Sequence, residues 1–205
     1  MLNLAKVASA ELHREPFDYL VVDDVLQDDS KQGIVADFPA IEKKGSFPLS
    51  RLSYGSAFKQ LTDELLGPEF ARAISQKFGL DLNPYPTMIT VRGWSDASDG
   101  QLHTDSKDKL ITVLLYLNPE WSTNGGQLRL LRSKNVDDYV AEVSPRIGSM
   151  VIFKRCDHSW HGFRPFEGKR LSLQMNWVKS DSYRRKERVR HEISSFMKGL
   201  VGRKA

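Results

Sequence analysis

Two rhythms of apolar and polar residues divide the chain. In the first, apolar side chains recur at three- and four-residue spacing over Ala57–Leu66 and Pro68–Phe78, which predicts two helices. Pro68 stands at a helix start, where its missing N–H costs nothing, and Gly79 stands just past the end. Upstream, Tyr19–Leu26 reads as a strand and Gln27–Ala36 as a short helix, while Phe38–Gly55, with two prolines and two glycines, reads as a loop. From Pro84 the second rhythm begins, with short runs alternating apolar and polar between Gly, Pro, Asn and Asp. The predicted strands are Thr87–Trp94, Gly100–His103, Leu110–Leu117, Gln127–Leu131, Tyr139–Val143, Met150–Lys154, Trp160–Phe163 and Arg170–Val178. Eight short strands with turn residues between them predict a mainly β jelly roll, with the N-terminal helices covering one face. Tyr183–Val201 returns to helical spacing.

One of these strands carries an informative pattern. Arg170, Ser172, Gln174 and Asn176 alternate with Leu171, Leu173, Met175 and Trp177, so one face is polar and the other strongly apolar. A polar face opposite so apolar a one suits either a cavity wall or a solvent-facing edge strand, and the alternation is the same for both.

The chain has 205 residues, 40% hydrophobic and 27% charged, the profile of an ordinary globular domain. It is read as one unit: residues 1–83 as an N-terminal strand and supporting helices, 84–180 as the β core, and 181–205 as a basic helix. No run approaches the roughly 20 apolar residues of a membrane span. The first ten residues lack the basic flank and apolar stretch of a secretory signal, so the expected location is the cytoplasm. Cys156 is the single cysteine, which agrees with a reducing compartment, and no role is assigned to it. The net charge is +4. Eight basic residues between Arg184 and Lys204 oppose only Glu187 and Glu192, so the tail supplies more than the whole excess and the body is slightly acidic. A nucleic-acid partner is therefore not expected. Val189, Ile193, Phe196, Leu200 and Val201 share one side of the predicted last helix. That stripe is expected to pack on the β core or a second subunit, with contact to an anionic membrane surface or a partner as the other reading.

The candidate chemistry begins at His103-Thr104-Asp105. On a strand, residues two apart point the same way, so an imidazole and a carboxylate project together. With a second histidine they form the 2-His-1-carboxylate arrangement of non-haem Fe(II) oxygenases. Three protein ligands leave three metal positions open, two for a chelating 2-oxo acid and one for O₂. The second histidine comes from Asp157-His158-Ser159-Trp160-His161, where His158 and His161 face opposite ways on an extended strand. A strand-turn-strand hairpin through Pro165 and Gly168 would return Arg170 to the neighbourhood of His161, which favours His161 and leaves His158 as the alternative. A guanidinium there suits the far carboxylate of 2-oxoglutarate, which its planar fork can grip with paired hydrogen bonds. Thr112, four residues before Tyr116 on the same strand face, is placed in the same pocket. His13 and His191 read as surface residues.

Taken in order, His103-x-Asp105, Tyr116-Leu117-Asn118, Trp121, Gly125-Gly126, Gly148, Phe153, His161 and Gly168-x-Arg170-x-Ser172 resemble the prolyl-4-hydroxylase-like branch of the 2-oxoglutarate/Fe(II) dioxygenase superfamily. The resemblance spans about Thr87 to Val178. It implies a double-stranded β-helix, a jelly-roll variant, with helices before it. It also implies iron held by His103, Asp105 and His161, and the 5-carboxylate of 2-oxoglutarate held by Arg170, with Ser172 and Tyr116 assisting. The implied reaction consumes 2-oxoglutarate and O₂, hydroxylates an organic substrate and releases succinate and CO₂. The sequence departs from the pattern at Val91-Arg92-Gly93-Trp94, where relatives often place a tyrosine. Either Trp94 fills that place or Arg92 contacts an anionic group, with a structural role for both as the other reading, and the two join Asn176 as candidate substrate contacts. The arginine-rich ending of the nucleic-acid-demethylating branch is absent, which again sets nucleic acid aside. Two other readings stay open: a cupin-like metalloenzyme that does not use 2-oxoglutarate, and a jelly-roll binding module without catalysis. The substrate itself is not legible.

Overall fold

The computed structural model describes residues 1–187 and 189. Short α1 (Leu4–Ser9) precedes β1 (Tyr19–Val22) and α2 (Asp28–Ala36); the two-residue β2 (Phe47–Pro48) then leads to α3 (Ser56–Leu66) and α4 (Pro68–Phe78). Seven strands complete the core: β3 (Thr87–Ser95), β4 (Lys109–Tyr116), β5 (Leu128–Leu131), β6 (Tyr139–Val143), β7 (Met150–Lys154), β8 (His161–Gly162) and β9 (Gly168–Val178). They form a six-stranded sheet in the order β1-β7-β4-β9-β3-β2 and a three-stranded sheet in the order β6-β5-β8, every ladder antiparallel. This is the predicted mainly β jelly roll.

The apolar periodicity of the helices is spent on one side of the large sheet. Phe70, Ile74 and Phe78 line one face of α4, and Phe58, Leu61 and Leu65 one face of α3, all buried in one cluster with Leu171, Leu173, Met175 and Trp177 of β9. Phe70 and Trp177 stack with ring centroids 6.1 Å apart. Burying so large an indole is worth several kcal/mol; truncating such a residue to Ala typically costs about 3–5 kcal/mol. Gly79 closes α4 at φ +62°, the left-handed conformation that a side chain disfavours.

The strand alternation is thereby resolved. β9 is paired on both edges, with β3 and β4, so it is no edge strand. Its apolar face meets the helices, and its polar face turns into the space between the two sheets.

Several expectations need correction. Gly100–His103 is not a strand, and His103 holds only an isolated bridge to His161, because the chain there crosses between sheets without a continuous partner. Tyr19–Leu26 stops as a strand at Val22, and Phe38–Gly55 contains β2 and a 3-10 turn at Leu49–Arg51. The expected hairpin from His161 to Arg170 does not form either. β8 pairs with β5 in the small sheet and β9 with β3 and β4 in the large one, so the intervening segment passes from one sheet to the other. In the C-terminal segment residues 181–187 are helical, while Ile193, Phe196, Leu200, Val201 and His191 lie outside the described residues. Among the described residues no helix is long and apolar enough to cross a membrane.

Candidate metal centre and diacid pocket

His103, Asp105 and His161 converge from two distant stretches of chain. One ligand atom from each lies within 4.8 Å of the others, a cluster compact enough to hold one metal ion. The two histidines exchange backbone hydrogen bonds, His103 N–H to the His161 carbonyl and back, both at 3.0 Å, and their ring centroids stand 4.4 Å apart. His158 is exposed and stays outside the cluster.

The rings are oriented by their other nitrogens. Nδ1 of His103 lies 2.8 Å from the Gln101 carbonyl and Nδ1 of His161 lies 2.9 Å from the Ser159 carbonyl. A carbonyl can only accept, so Nδ1 carries the proton in both, and each Nε2 keeps its lone pair for a cation. Burial drives the His161 pKa down to about 4, so the ring is neutral at pH 7 and ready to ligate.

Asp105 is 6% exposed and strongly supported. Lys109 Nζ donates to Oδ1 at 2.6 Å and the Thr112 hydroxyl donates to Oδ2 at 2.6 Å. Burial alone would raise its pKa, but the Lys109 and His161 charges and these two hydrogen bonds outweigh it and hold the carboxyl at about 2. Asn176 Nδ2 donates to the Thr112 hydroxyl oxygen at 2.8 Å, and Gln174 donates to Asn176 Oδ1 at 3.0 Å, a chain of side-chain hydrogen bonds that ends on the carboxylate. Arg155 Nε adds a bond to the Asp105 carbonyl at 3.0 Å. Two histidines and a carboxylate with this outer support fit a divalent first-row metal that keeps open positions.

Across a cavity of about 320 Å³ from the ligands stands Arg170, 4% exposed. Its Nε donates to the Gly126 carbonyl at 3.0 Å, an Nη reaches the Tyr116 hydroxyl at 3.4 Å, and the rings of Phe163 and Tyr116 lie 4.2 and 5.0 Å from the guanidinium carbon. Among the described residues no carboxylate forms an ion pair with it. Desolvation accordingly lowers its pKa. Burial raises that of Tyr116, whose phenol keeps its proton as a donor. Ser172 lines the same cavity, opposite Tyr116 on the adjacent strand. The Gly126 carbonyl is presented by a tight turn: at φ +75° a Cβ there would come within 2.7 Å of the Trp121 ring, whose Nε1 in turn donates to the Gly125 carbonyl at 3.2 Å. Asn118 ties the end of β4 to β9 by accepting from Leu171 N–H at 2.7 Å and donating to its carbonyl at 3.2 Å, which fixes the backbone beside Arg170.

The remaining site expectations divide. Arg92 lines the cavity, held by Asp99 and the Ser46 hydroxyl. Trp94 does not line it. The ladder shifts register between Arg92 and Trp94, and the indole is among the most exposed large apolar side chains, so its assignment to the missing tyrosine's place is withdrawn. Thr112 lines the cavity as expected, but its hydroxyl proton goes to Asp105. The sequence reading missed Lys109 and Phe163. Lys109 stands four residues after the ligand carboxylate, and this i,i+4 spacing is the one local trace of its pairing.

Residues 92–179 match the family model described as the 2OG-Fe(II) oxygenase superfamily, and all three candidate ligands, Tyr116 and Arg170 fall inside that stretch. The fold is shared with solved structures of low sequence identity. A Pseudomonas putida prolyl-4-hydroxylase is 18% identical over 86% of this chain and 97% of its own, with a TM-score of 0.57. A viral collagen prolyl hydroxylase from Paramecium Bursaria Chlorella virus-1, in complex with 2OG, is 15% identical over 78% and 96%, with a TM-score of 0.54. HygX from Streptomyces hygroscopicus, with nickel and 2-oxoglutarate bound, is 14% identical over 80% and 82%, also at 0.54. No curated protein sequence matches the chain. Over residues 92–179 the chain is therefore similar to 2OG-Fe(II) oxygenases, and its fold is shared with prolyl-4-hydroxylases. Fe(II), 2-oxoglutarate and O₂ are the cofactor and cosubstrates of that class.

Proposed function

We propose that this enzyme hydroxylates an organic substrate at an iron held by His103, Asp105 and His161, while consuming 2-oxoglutarate and O₂ and releasing succinate and CO₂. The observation that carries this reading is the buried guanidinium of Arg170, which pairs with no carboxylate among the described residues and faces the ligand cluster across one cavity. A buried charge without a counter-ion is costly. A bound dicarboxylate removes that cost at one end and reaches the metal ligands with the other.

In this arrangement Arg170 grips the far carboxylate. Gly126 and Phe163 fix the fork, and Tyr116 and Ser172 supply hydroxyl donors to the same group. The Thr112–Asn176 chain and Lys109 hold Asp105 ionised and oriented, and the two carbonyl-anchored imidazoles keep Nε2 lone pairs directed at the metal. Arg92 places a second positive charge on the cavity wall. Iron, when bound, supplies the activation of O₂ and the oxidation that no side chain can perform. A cupin-like enzyme without 2-oxoglutarate has no need of the Arg170 pocket.

The test is anaerobic addition of Fe(II) and then 2-oxoglutarate, with the visible metal-to-ligand charge-transfer band as readout. A band that saturates with 2-oxoglutarate and is lost in Asp105→Ala is the expected result. If Fe(II) binds and 2-oxoglutarate produces no band, the reading is wrong.

A further inference from the structure

Apart from its two histidines, the cavity between the metal ligands and Arg170 is lined by the cations Arg92, Lys109 and Arg170 and the anions Asp99 and Asp105. These are matched in pairs among the described residues, Lys109 with Asp105 and Arg92 with Asp99, and Arg170 is left over. Strand register brings the two arginines close. Tyr116, Ser172 and Arg92 stand in one row across β4, β9 and β3, and Arg170 is two residues from Ser172 on the same face of β9. Diagonal neighbours of this kind lie roughly 7–8 Å apart, within reach of long side chains. Burial is the largest influence lowering the Arg170 pKa; the Arg92 charge lowers it further and the Asp99 charge opposes it.

The loop after β3 is folded back so that Asp99 meets Arg92. The Asp99 carboxylate accepts from Arg92 Nη1, and its Oδ2 also accepts from the Asp96 N–H at 2.9 Å. The Asp99 N–H donates to the Asp96 carbonyl at 2.8 Å, and Arg92 Nη2 donates to the Ser46 hydroxyl at 3.3 Å.

We propose that Asp99 is a specificity-determining residue of the diacid pocket: by occupying the Arg92 guanidinium it leaves Arg170 as the anion seat, so a dicarboxylate is accepted and more highly charged anions are disfavoured. The proposal rests on the reading of this cavity as the 2-oxoglutarate pocket. Its basis is the charge balance of the walls. A cleft with low-dielectric walls concentrates the field of whatever charge is left unneutralised. With Arg92 held, one guanidinium meets one far carboxylate. With Asp99 neutralised, two neighbouring guanidiniums face the cavity and the repulsion of surplus carboxylates by Asp99 is gone. Both changes favour an anion of higher charge.

The test is isothermal titration of the metal-free full-length protein at low ionic strength. The probes are glutarate, a diacid without the 2-oxo group, and propane-1,2,3-tricarboxylate. The parent should bind the tricarboxylate no better than glutarate. Asp99→Asn should improve tricarboxylate affinity about tenfold, the order expected for one added charge contact in a partly exposed site, and glutarate affinity by less. Added salt should shrink that gain. Asp99→Glu should behave as the parent does, and the double variant Arg92→Gln/Asp99→Asn should lose the gain. A parent that prefers the tricarboxylate, an unchanged ratio of the two affinities in Asp99→Asn, or a gain that survives in the double variant overturns the proposal. Glutarate binding that is absent from the parent, or that persists undiminished in Arg170→Gln, would instead defeat the diacid-pocket reading beneath it.

Discussion

His103 and His161, 58 positions apart in sequence, are locked together by a reciprocal pair of backbone hydrogen bonds, each 3.0 Å long. The bridge joins the segment before β4 to the small sheet, so the spacing of the two imidazoles is set by main chain and does not depend on a bound ion. His161→Ala should accordingly keep the fold while reducing Fe(II) affinity by more than the 10- to 100-fold typical of losing a supporting residue. Fe(II) or Co(II) titration with circular dichroism as a control measures both. Full succinate formation by this variant would refute the ligand assignment.

Thr112 connects the same centre to β9, because its hydroxyl donates to Asp105 and accepts from Asn176. Thr112→Val is nearly isosteric but leaves the Asn176 amide without that acceptor and frees one carboxylate oxygen. A stability loss of about 1–3 kcal/mol is expected from the unpaired buried groups, with metal affinity down roughly 10- to 100-fold. Thr112→Ser should restore most of both.

Lys109 places a positive charge 2.6 Å from Asp105 Oδ1, close to where a cation binds. Two cations sharing one carboxylate repel each other, so Lys109→Met should tighten Fe(II) binding, by about tenfold if the net repulsion is near 1.4 kcal/mol. Isothermal titration in the absence of 2-oxoglutarate decides. Weaker binding would show that the lysine chiefly positions the carboxylate.

Arg170→Gln removes the buried cation and should act on 2-oxoglutarate more than on iron. Losing one partner of a desolvated charge pair costs about 2–5 kcal/mol, which predicts at least a 30-fold rise in the 2-oxoglutarate KM with Fe(II) affinity little changed. An unchanged KM would remove Arg170 from the pocket's function.

The metal-free protein should lose stability on mild acidification. His161 has a folded-state pKa of about 4 against an ordinary value of 6.5, so between those values the unfolded chain binds the proton more readily. The neutral ring's contribution is therefore fully present above pH 6.5 and lost as pH falls toward 4, about 3 kcal/mol in all. Asp105, lowered from 3.8 to about 2, adds a second loss only below pH 4. Urea melts of the chelated protein should fall in this window, and His161→Gln should flatten the slope between pH 6.5 and 4.

Much of the site was legible because its chemistry is local in sequence. His103 and Asp105 stand two apart, the Arg170 strand alternates cleanly, and Pro68 and Gly79 mark the ends of α4. The failures were of another kind. Trp94 was placed by resemblance alone, and the register shift between Arg92 and Trp94 leaves its indole exposed and off the cavity wall. Arg170 reaches the metal centre across the space between two sheets, although a hairpin gives the same expectation from the sequence.

By itself the sequence determined element types, their approximate ends and the residue types able to bind a metal and a diacid, since periodicity and turn chemistry act between near neighbours. Only the tertiary structure decided that His161 and not His158 joins the cluster, that the polar face of β9 lines a cavity instead of meeting solvent, and that Thr112, Asn176 and Lys109 converge on Asp105. Those outcomes depend on which strands pair and on which face the helices cover. Such long-range pairings leave no periodic trace in the segments they join.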